Sequence, residues 1–230
     1  MLFRSLEVHA VVGANLKYSD PVHKVTIIPR GRAGGATYFL PEDDRTEVSK
    51  DWCLDTVTQS LGGRVAEQLV LNRMGSGAQA DIDMASKLVR KMVTQWGMSE
   101  RLGPISFGER EEQIFLGREI QQHQDYSEKT AEQIDEEVKE IITQCYERAK
   151  KILEDKIDIL HKMAHSLLER EMLDREDINL LLKGEELPPV KKRHAAAQTE
   201  KPAATEPEKT SEARTQFPAK PQPLPHPDTT

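Results

Sequence analysis

The chain has 230 residues, of which 37% are hydrophobic, 31% are charged and only 5% are aromatic. Globular domains are usually about 45–50% apolar, so this composition predicts a folded domain joined to a polar segment that does not fold. The formal net charge of -7 argues against a nucleic-acid partner, because surfaces that bind nucleic acid are basic. No apolar run approaches about 18 residues, so we expect no transmembrane segment within this chain.

Cysteine and glycine patterns exclude further classes of protein. The two cysteines, Cys53 and Cys145, are far apart and form no CxxC motif. This pattern is typical of a reducing compartment, and it indicates neither a disulfide framework nor a zinc ribbon. The Gly-x-x-x-x-Gly-Lys-Ser/Thr loop that binds nucleotide phosphates is absent, so the chain has no phosphate-binding loop of its own.

A disordered C-terminal tail is predicted for residues 185–230. Nine of the 13 prolines lie at or after Pro188, and the only aromatic residue after Tyr146 is Phe217. Such a segment cannot bury enough apolar surface to offset the entropy of ordering it. We therefore expect the folded domain to end near residue 184.

The remaining sequence predicts mainly helices with a small β element, because apolar residues recur mostly at helical spacing. In chain order, the sequence predicts a broken helix at 6–16, strands at 22–28 and 36–40, and helices at 52–70 and 82–96. The loop-rich segment at 97–124 is typical of a lid. After it, the sequence predicts a helix that starts at Asp125 with Glu128 in a capping box, a helix at about 156–170, and a short helix capped by Asp174 with Asp177 and ended by Gly184.

Two adjacent glycines, Gly62 and Gly63, lie in the middle of the helix predicted at 52–70. Each costs about 1 kcal/mol relative to alanine in a helix. The pair therefore indicates either close backbone packing or a break in the helix.

A pair of histidines, His161 and His165, is spaced at i and i+4 on one predicted helix and could hold a divalent metal. A zinc-hydrolase motif would need glutamate at the second position of this run, where the sequence has Lys162. We interpret the pair as a polar flank of the helix.

Four motifs carry a resemblance to a known family. They occupy residues 20–31, 61–67, 77–81 and 92–99, and the last runs into Leu102, Gly103 and Pro104. In this order and spacing they closely resemble the peptidase domain of the FtsH family, the membrane-anchored ATP-dependent zinc metalloproteases. The resemblance covers roughly residues 9–182.

The resemblance implies a helical metallopeptidase domain that binds Zn²⁺. Family members carry a His-Glu-x-x-His helix whose two histidines bind zinc and whose glutamate activates the zinc-bound water, and a later aspartate is the third ligand. On this sequence the second histidine is His9 and the later aspartate is Asp81. The strand region near 27–38 is expected beside the active site, where the family docks unfolded polypeptide by strand addition.

The resemblance also implies partners. Family members form a homohexameric ring below AAA ATPase modules, and a membrane anchor holds the bacterial-type protein at the cytoplasmic face of the membrane. ATP is expected to act only through the ATPase module, which is absent from this chain. The expected function is therefore a zinc metalloendopeptidase domain that degrades unfolded or membrane proteins.

The sequence departs from the family pattern at the zinc helix. The first histidine should be residue 5, which is Ser5, and the glutamate should be residue 6, which is Leu6. Glu7 is one place late, and one residue rotates a helix position by about 100°. Glu7 is therefore only a displaced candidate base, and His9 and Asp81 are the expected surviving ligands.

Two explanations of this departure are open. In the first, residues 1–8 are a foreign or damaged start of the zinc helix, and the chain is a fragment whose peptidase domain spans 9–184. In the second, the chain is a catalytically inactive peptidase-like domain that acts in oligomerisation or binding.

Overall fold

The computed structural model describes residues 3–29, 34–41, 47–72, 74–107 and 126–189. Most of the predicted lid and most of the predicted tail lie outside these ranges, as does Asp125. The described elements are α1 (Phe3–Ala14), β1 (Val22–Thr26), β2 (Ala36–Phe39), α2 (Lys50–Leu71), α3 (Gln79–Thr94), α4 (Glu128–Asp155), α5 (Ile157–Arg170), β3 (Met172–Asp174) and α6 (Arg175–Leu182). The expected fold class, mainly α with a small β element, is confirmed for this part of the chain.

The small sheet has the strand order β2-β1-β3, and both pairs are antiparallel. The sequence analysis did not predict β3, which has only three residues and lies directly between two helices. It is a strand because β1 lies beside it, with Val25 opposite Leu173. A pattern of three residues is too short to indicate a strand without this partner.

Helix α1 is continuous, so the prediction of a broken helix at 6–16 is wrong. Val8, Ala10, Val11 and Val12 are all 0% exposed. The helix packs against α2, α5 and both β1 and β2, so nearly every side of it is covered. A helix that is buried all round loses the one-sided apolar periodicity by which helices are recognised in a sequence.

Helix α2 is also continuous across Gly62 and Gly63, so the pair is not a break, and Gly62 marks close packing. An added Cβ at Gly62 would lie 3.0 Å from Cγ1 of Val8 and 3.2 Å from Cγ2 of Val12. The missing side chain therefore allows α1 to approach the backbone of α2. This contact fixes the separation of the two helices that carry much of the candidate site.

The predicted helix caps are partly correct. The side chain of Asp174 accepts a hydrogen bond from the backbone N–H of Asp177 at 2.9 Å, which confirms the predicted cap of α6. The cap predicted for α4 is wrong, because its N-cap is Ser127, whose side chain accepts from the backbone N–H of Thr130. Serine and aspartate are both good N-cap residues, so residue type alone does not distinguish Ser127 from Asp125.

Candidate metal site

Two predicted metal ligands, His9 and Asp81, meet in the structure. His9 lies on α1, Asp81 lies in the first turn of α3, and their Nε2 and Oδ2 atoms are 3.5 Å apart. The side chain of His9 is 17% exposed and that of Asp81 is 35% exposed. The pair therefore lies in a half-buried site that is open to solvent on the Asp81 side.

The orientation of the His9 ring is fixed by the backbone of α2. Its Nδ1 atom lies 2.9 Å from the carbonyl oxygen of Gln59. A carbonyl oxygen can only accept, so Nδ1 carries the proton in this hydrogen bond. The Nε2 atom consequently faces Asp81, which is the arrangement that a metal-binding histidine needs.

Charge around His9 favours its protonated form. Burial lowers the pKa of the imidazole, but the hydrogen bond to Asp81, the contact with Gln59 and the negative charges of Asp81 and Glu7 together raise it above its ordinary value. A cation at this place is therefore stabilised by its surroundings. A metal ion would have to replace a proton in order to bind here.

The separation of the two ligands fits zinc, but their number does not fit a complete catalytic site. Two ligand atoms about 2.0–2.2 Å from a tetrahedral zinc lie about 3.4 Å apart, close to the 3.5 Å between His9 and Asp81. A catalytic zinc usually has three protein ligands. No group of three histidine, cysteine, aspartate or glutamate side chains that could hold a metal occurs among the described residues.

Glu7 and Leu6 occupy different surroundings. Glu7 is 0% exposed, and it lies two residues before His9, about 200° away around α1. Leu6 packs against the Gly35 backbone, and its carbonyl oxygen accepts a hydrogen bond from Oγ1 of Thr37 at 2.7 Å. That Glu7 is displaced from the position of a catalytic base stays a prediction.

The sequence analysis missed residues of α2 that frame the site. An added Cβ at Gly63 would lie 3.5 Å from Oδ2 of Asp81 and 3.6 Å from Nε2 of His9. Further along the same helix, Arg64 and Glu67 contact the loop that leads to α3. The motif at 61–67 indicated that this segment matters, but only the structure shows which residues of the motif contact the site and the loop.

Strand β2 lies at one edge of the sheet, because β1 is its only neighbour within the described part of the chain. The hydrogen bond from Thr37 to Leu6 joins this strand to the start of α1, the helix that carries His9. The strand region predicted to lie beside the active site is therefore connected to that helix. An edge strand has unpaired backbone groups that can bind an extended peptide.

The histidines of α5 belong to no group of three or more potential metal ligands among the described residues. Nε2 of His165 lies 3.2 Å from Oε1 of Glu169, and both side chains are largely exposed. The interpretation of His161 and His165 as a polar flank stays a prediction.

The described residues form a mainly helical domain in which a histidine and an aspartate meet at a half-buried site. Residues 7–181 match the family model of Peptidase family M41, and the chain belongs to this family. It is 51% identical over 183 residues to the ATP-dependent zinc metalloprotease FtsH of Acidobacterium capsulatum, covering 80% of this chain and 28% of that protein.

Other curated relatives give the same result. The chain is 50% identical over 179 residues to the ATP-dependent zinc metalloprotease FtsH 1 of Thermoanaerobacter sp., covering 78% of this chain and 29% of that protein. It is 49% identical over 202 residues to the FtsH protein of Magnetococcus marinus, covering 86% of this chain and 30% of that protein. The chain thus spans less than a third of the length of these relatives. No helix among the described residues is long and apolar enough to cross a membrane.

Proposed function

We propose that this chain is the peptidase domain of an ATP-dependent zinc metalloprotease. The observation that carries the proposal is the approach of His9 to Asp81, at the separation that a shared zinc requires. Membership of Peptidase family M41 supports the same class of reaction, the hydrolysis of peptide bonds. When bound in a complete site, zinc would supply an activated water for that reaction.

The residues of this chain have definite roles in the proposal. His9 and Asp81 would hold the metal, and the Gln59 carbonyl keeps the His9 ring turned towards Asp81. The edge of β2 would bind an unfolded polypeptide by strand addition, beside the helix that carries His9. Because only two metal ligands lie among the described residues, we assign peptide hydrolysis to the complete site of the family and not to this chain alone.

We further propose the assembly in which the domain acts. The complete protein would be a homohexamer in which an AAA ATPase module uses ATP to deliver unfolded or membrane proteins to the peptidase domain. A membrane anchor would hold it at the cytoplasmic face of the membrane. The names of the relatives, ATP-dependent zinc metalloproteases much longer than this chain, support the ATPase partnership.

A second candidate function is a catalytically inactive domain that acts in oligomerisation or binding. The observation that favours it is the pair of residues at the start of the site, because Leu6 stands at the place of the base and Glu7 is fully buried. In this alternative, the chain keeps the hydrophobic core and the fold of the family but has lost peptide hydrolysis. The two candidates differ in the metal content of a variant in which the missing ligand is restored.

The test is to measure zinc stoichiometry and casein cleavage for the purified chain and for a restored variant that combines Ser5→His with Leu6→Glu. Structural zinc sites with four ligands bind with about 10–16 kcal/mol, or about 3 kcal/mol per ligand. A third ligand should therefore tighten zinc binding by about 100-fold. We expect weak zinc binding and no cleavage for the original chain, and tight binding with cleavage for the restored variant.

The control is Asp81→Ala in both backgrounds. In the restored variant it should remove zinc binding and cleavage together, because Asp81 is then one of three ligands. If the original chain holds about one zinc and cleaves casein until Asp81 is replaced, our assignment of an incomplete site is wrong. If the restored variant folds but binds no zinc, the second candidate, a catalytically inactive domain that acts in oligomerisation or binding, is correct.

A further inference from the structure

An ion pair on α2 holds the loop between α2 and α3. Nη1 of Arg64 lies 2.9 Å from Oε2 of Glu67 and donates to the carbonyl oxygen of Gly75 at 3.0 Å. The same Oε2 atom of Glu67 accepts a hydrogen bond from the backbone N–H of Gly75 at 3.1 Å. Both backbone groups of Gly75 are therefore bound by one pair of side chains, which we call the loop clamp.

The loop clamp is partly buried and closely fitted. The side chains of Arg64 and Glu67 are 23% and 20% exposed, so the ion pair between them is less weakened by water than a surface pair. Their hydrogen bonds to Gly75 lie at the surface. An added Cβ at Gly77 would lie 3.1 Å from Oε1 of Glu67, closer than most such contacts in proteins. Glycine at this position thus allows the loop to close over the carboxylate.

The clamped loop leads directly into the turn that carries Asp81. The backbone N–H of Gln79 donates to the carbonyl oxygen of Ser76 at 3.1 Å, and that of Ile82 donates to Ala78 at 3.0 Å. The N-cap of α3 is Ala78, which makes no side-chain capping bond. Because no capping side chain fixes this helix start, its position depends on the loop before it.

Helix α2 therefore controls both partners of the candidate metal site. Its Gln59 carbonyl orients His9, and its loop clamp holds the segment that ends in Asp81. We propose that Arg64 and Glu67 are positioning residues that set the carboxylate of Asp81 opposite Nε2 of His9. This proposal rests on the proposed function, in which His9 and Asp81 hold the metal. The contact between these two side chains is present in the metal-free chain, so it can be tested without metal.

The main test replaces Glu67 with alanine and follows the metal-free chain by nuclear magnetic resonance at one fixed pH. The ¹⁵N chemical shift of His9 Nε2 reports its ion pair with Asp81, and hydrogen exchange of the Ile82 amide reports the first turn of α3. Glu67→Ala should shift the His9 signal towards that of Asp81→Ala and speed Ile82 exchange by about 10-fold, as expected for the loss of one or two hydrogen bonds.

A conservative variant and a matched control separate positioning from general stability. Glu67→Gln keeps an acceptor for the N–H of Gly75 and should restore most of the His9 signal. Glu100→Ala removes a glutamate whose ion pair, with Lys50, lies at the surface away from the loop, and should change neither readout. If folded Glu67→Ala has the His9 signal and Ile82 exchange of the original chain, the proposal is wrong.

A second pair of variants keeps the test decisive if Glu67→Ala does not fold. Gly77→Ala places a methyl group 3.1 Å from Oε1 of Glu67, whereas Gly75→Ala places one at 3.5 Å, an ordinary contact. Gly77→Ala should shift the His9 signal in the same direction as Asp81→Ala, and Gly75→Ala should not. Equal effects of the two variants on the His9 signal would overturn the proposal that the loop clamp positions Asp81. A failure of the restored variant to bind zinc would count only against the proposed function.

Discussion

The packing of α1 on α2 gives a quantitative prediction for Gly62→Ala. The new methyl group would lie 3.0 Å from Val8 and 3.2 Å from Val12, both of which are 0% exposed. A comfortable contact would need several tenths of an ångström more. Both valines are branched at Cβ and enclosed by the core, so neither can move aside by changing rotamer.

Two opposing terms set the size of the effect. Alanine is favoured over glycine in a helix by about 1 kcal/mol. Overpacking a well-packed core costs about 1–3 kcal/mol. Because both contacts at Gly62 are with rigid core side chains, we expect the second term to dominate and the free energy of unfolding to fall by about 1 kcal/mol.

Chemical denaturation measures this change, and Gly63→Ala is its matched control. A methyl group at Gly63 would lie at ordinary distances of 3.5–3.6 Å from Asp81 and His9. The helix term then dominates, so Gly63→Ala should leave the free energy of unfolding unchanged or raise it by up to about 1 kcal/mol. If Gly62→Ala is as stable as Gly63→Ala, close helix packing does not explain the glycine at position 62.

Two further predictions concern buried groups. Asp55→Asn should lower the free energy of unfolding by about 2 kcal/mol in denaturant titration, because Asp55 is 1% exposed and its Oδ1 lies 2.6 Å from Nη1 of Arg148. Arg101→Ala breaks an exposed ion pair and should lower the free energy of unfolding by less than about 1 kcal/mol. Equal losses of stability in the two variants would contradict this ranking. Burial raises the pKa of the Cys53 and Cys145 thiols, so both should resist iodoacetamide in the folded chain and react on unfolding. Mass spectrometry follows the labelling, and rapid labelling of the folded chain would contradict the prediction.

The family resemblance in the sequence pointed to two candidate ligands, His9 and Asp81, and the fold brings them together. It did not reveal the hydrogen bond from His9 to Gln59 or the loop clamp. Those contacts join residues that are distant in the sequence, and a motif does not record which atoms of its residues will touch. The motif at 61–67 marked the right segment, and the structure gives separate contacts to Gly62, Gly63, Arg64 and Glu67.

The sequence by itself determined what depends on neighbouring residues. One-sided apolar periodicity defined α3, α4 and α5, and the cap at Asp174 defined the start of α6, because these signals act within a few residues. The end of the domain near residue 184 stays a prediction.

Only the tertiary structure decided the rest. Helix α1 is continuous because its neighbours cover it on nearly every side, and β3 is a strand because β1 supplies its hydrogen bonds. The distance between His9 and Asp81 likewise depends on α2, which anchors the His9 ring and the loop before Asp81. These features arise from contacts between distant segments, whose energies no local pattern contains.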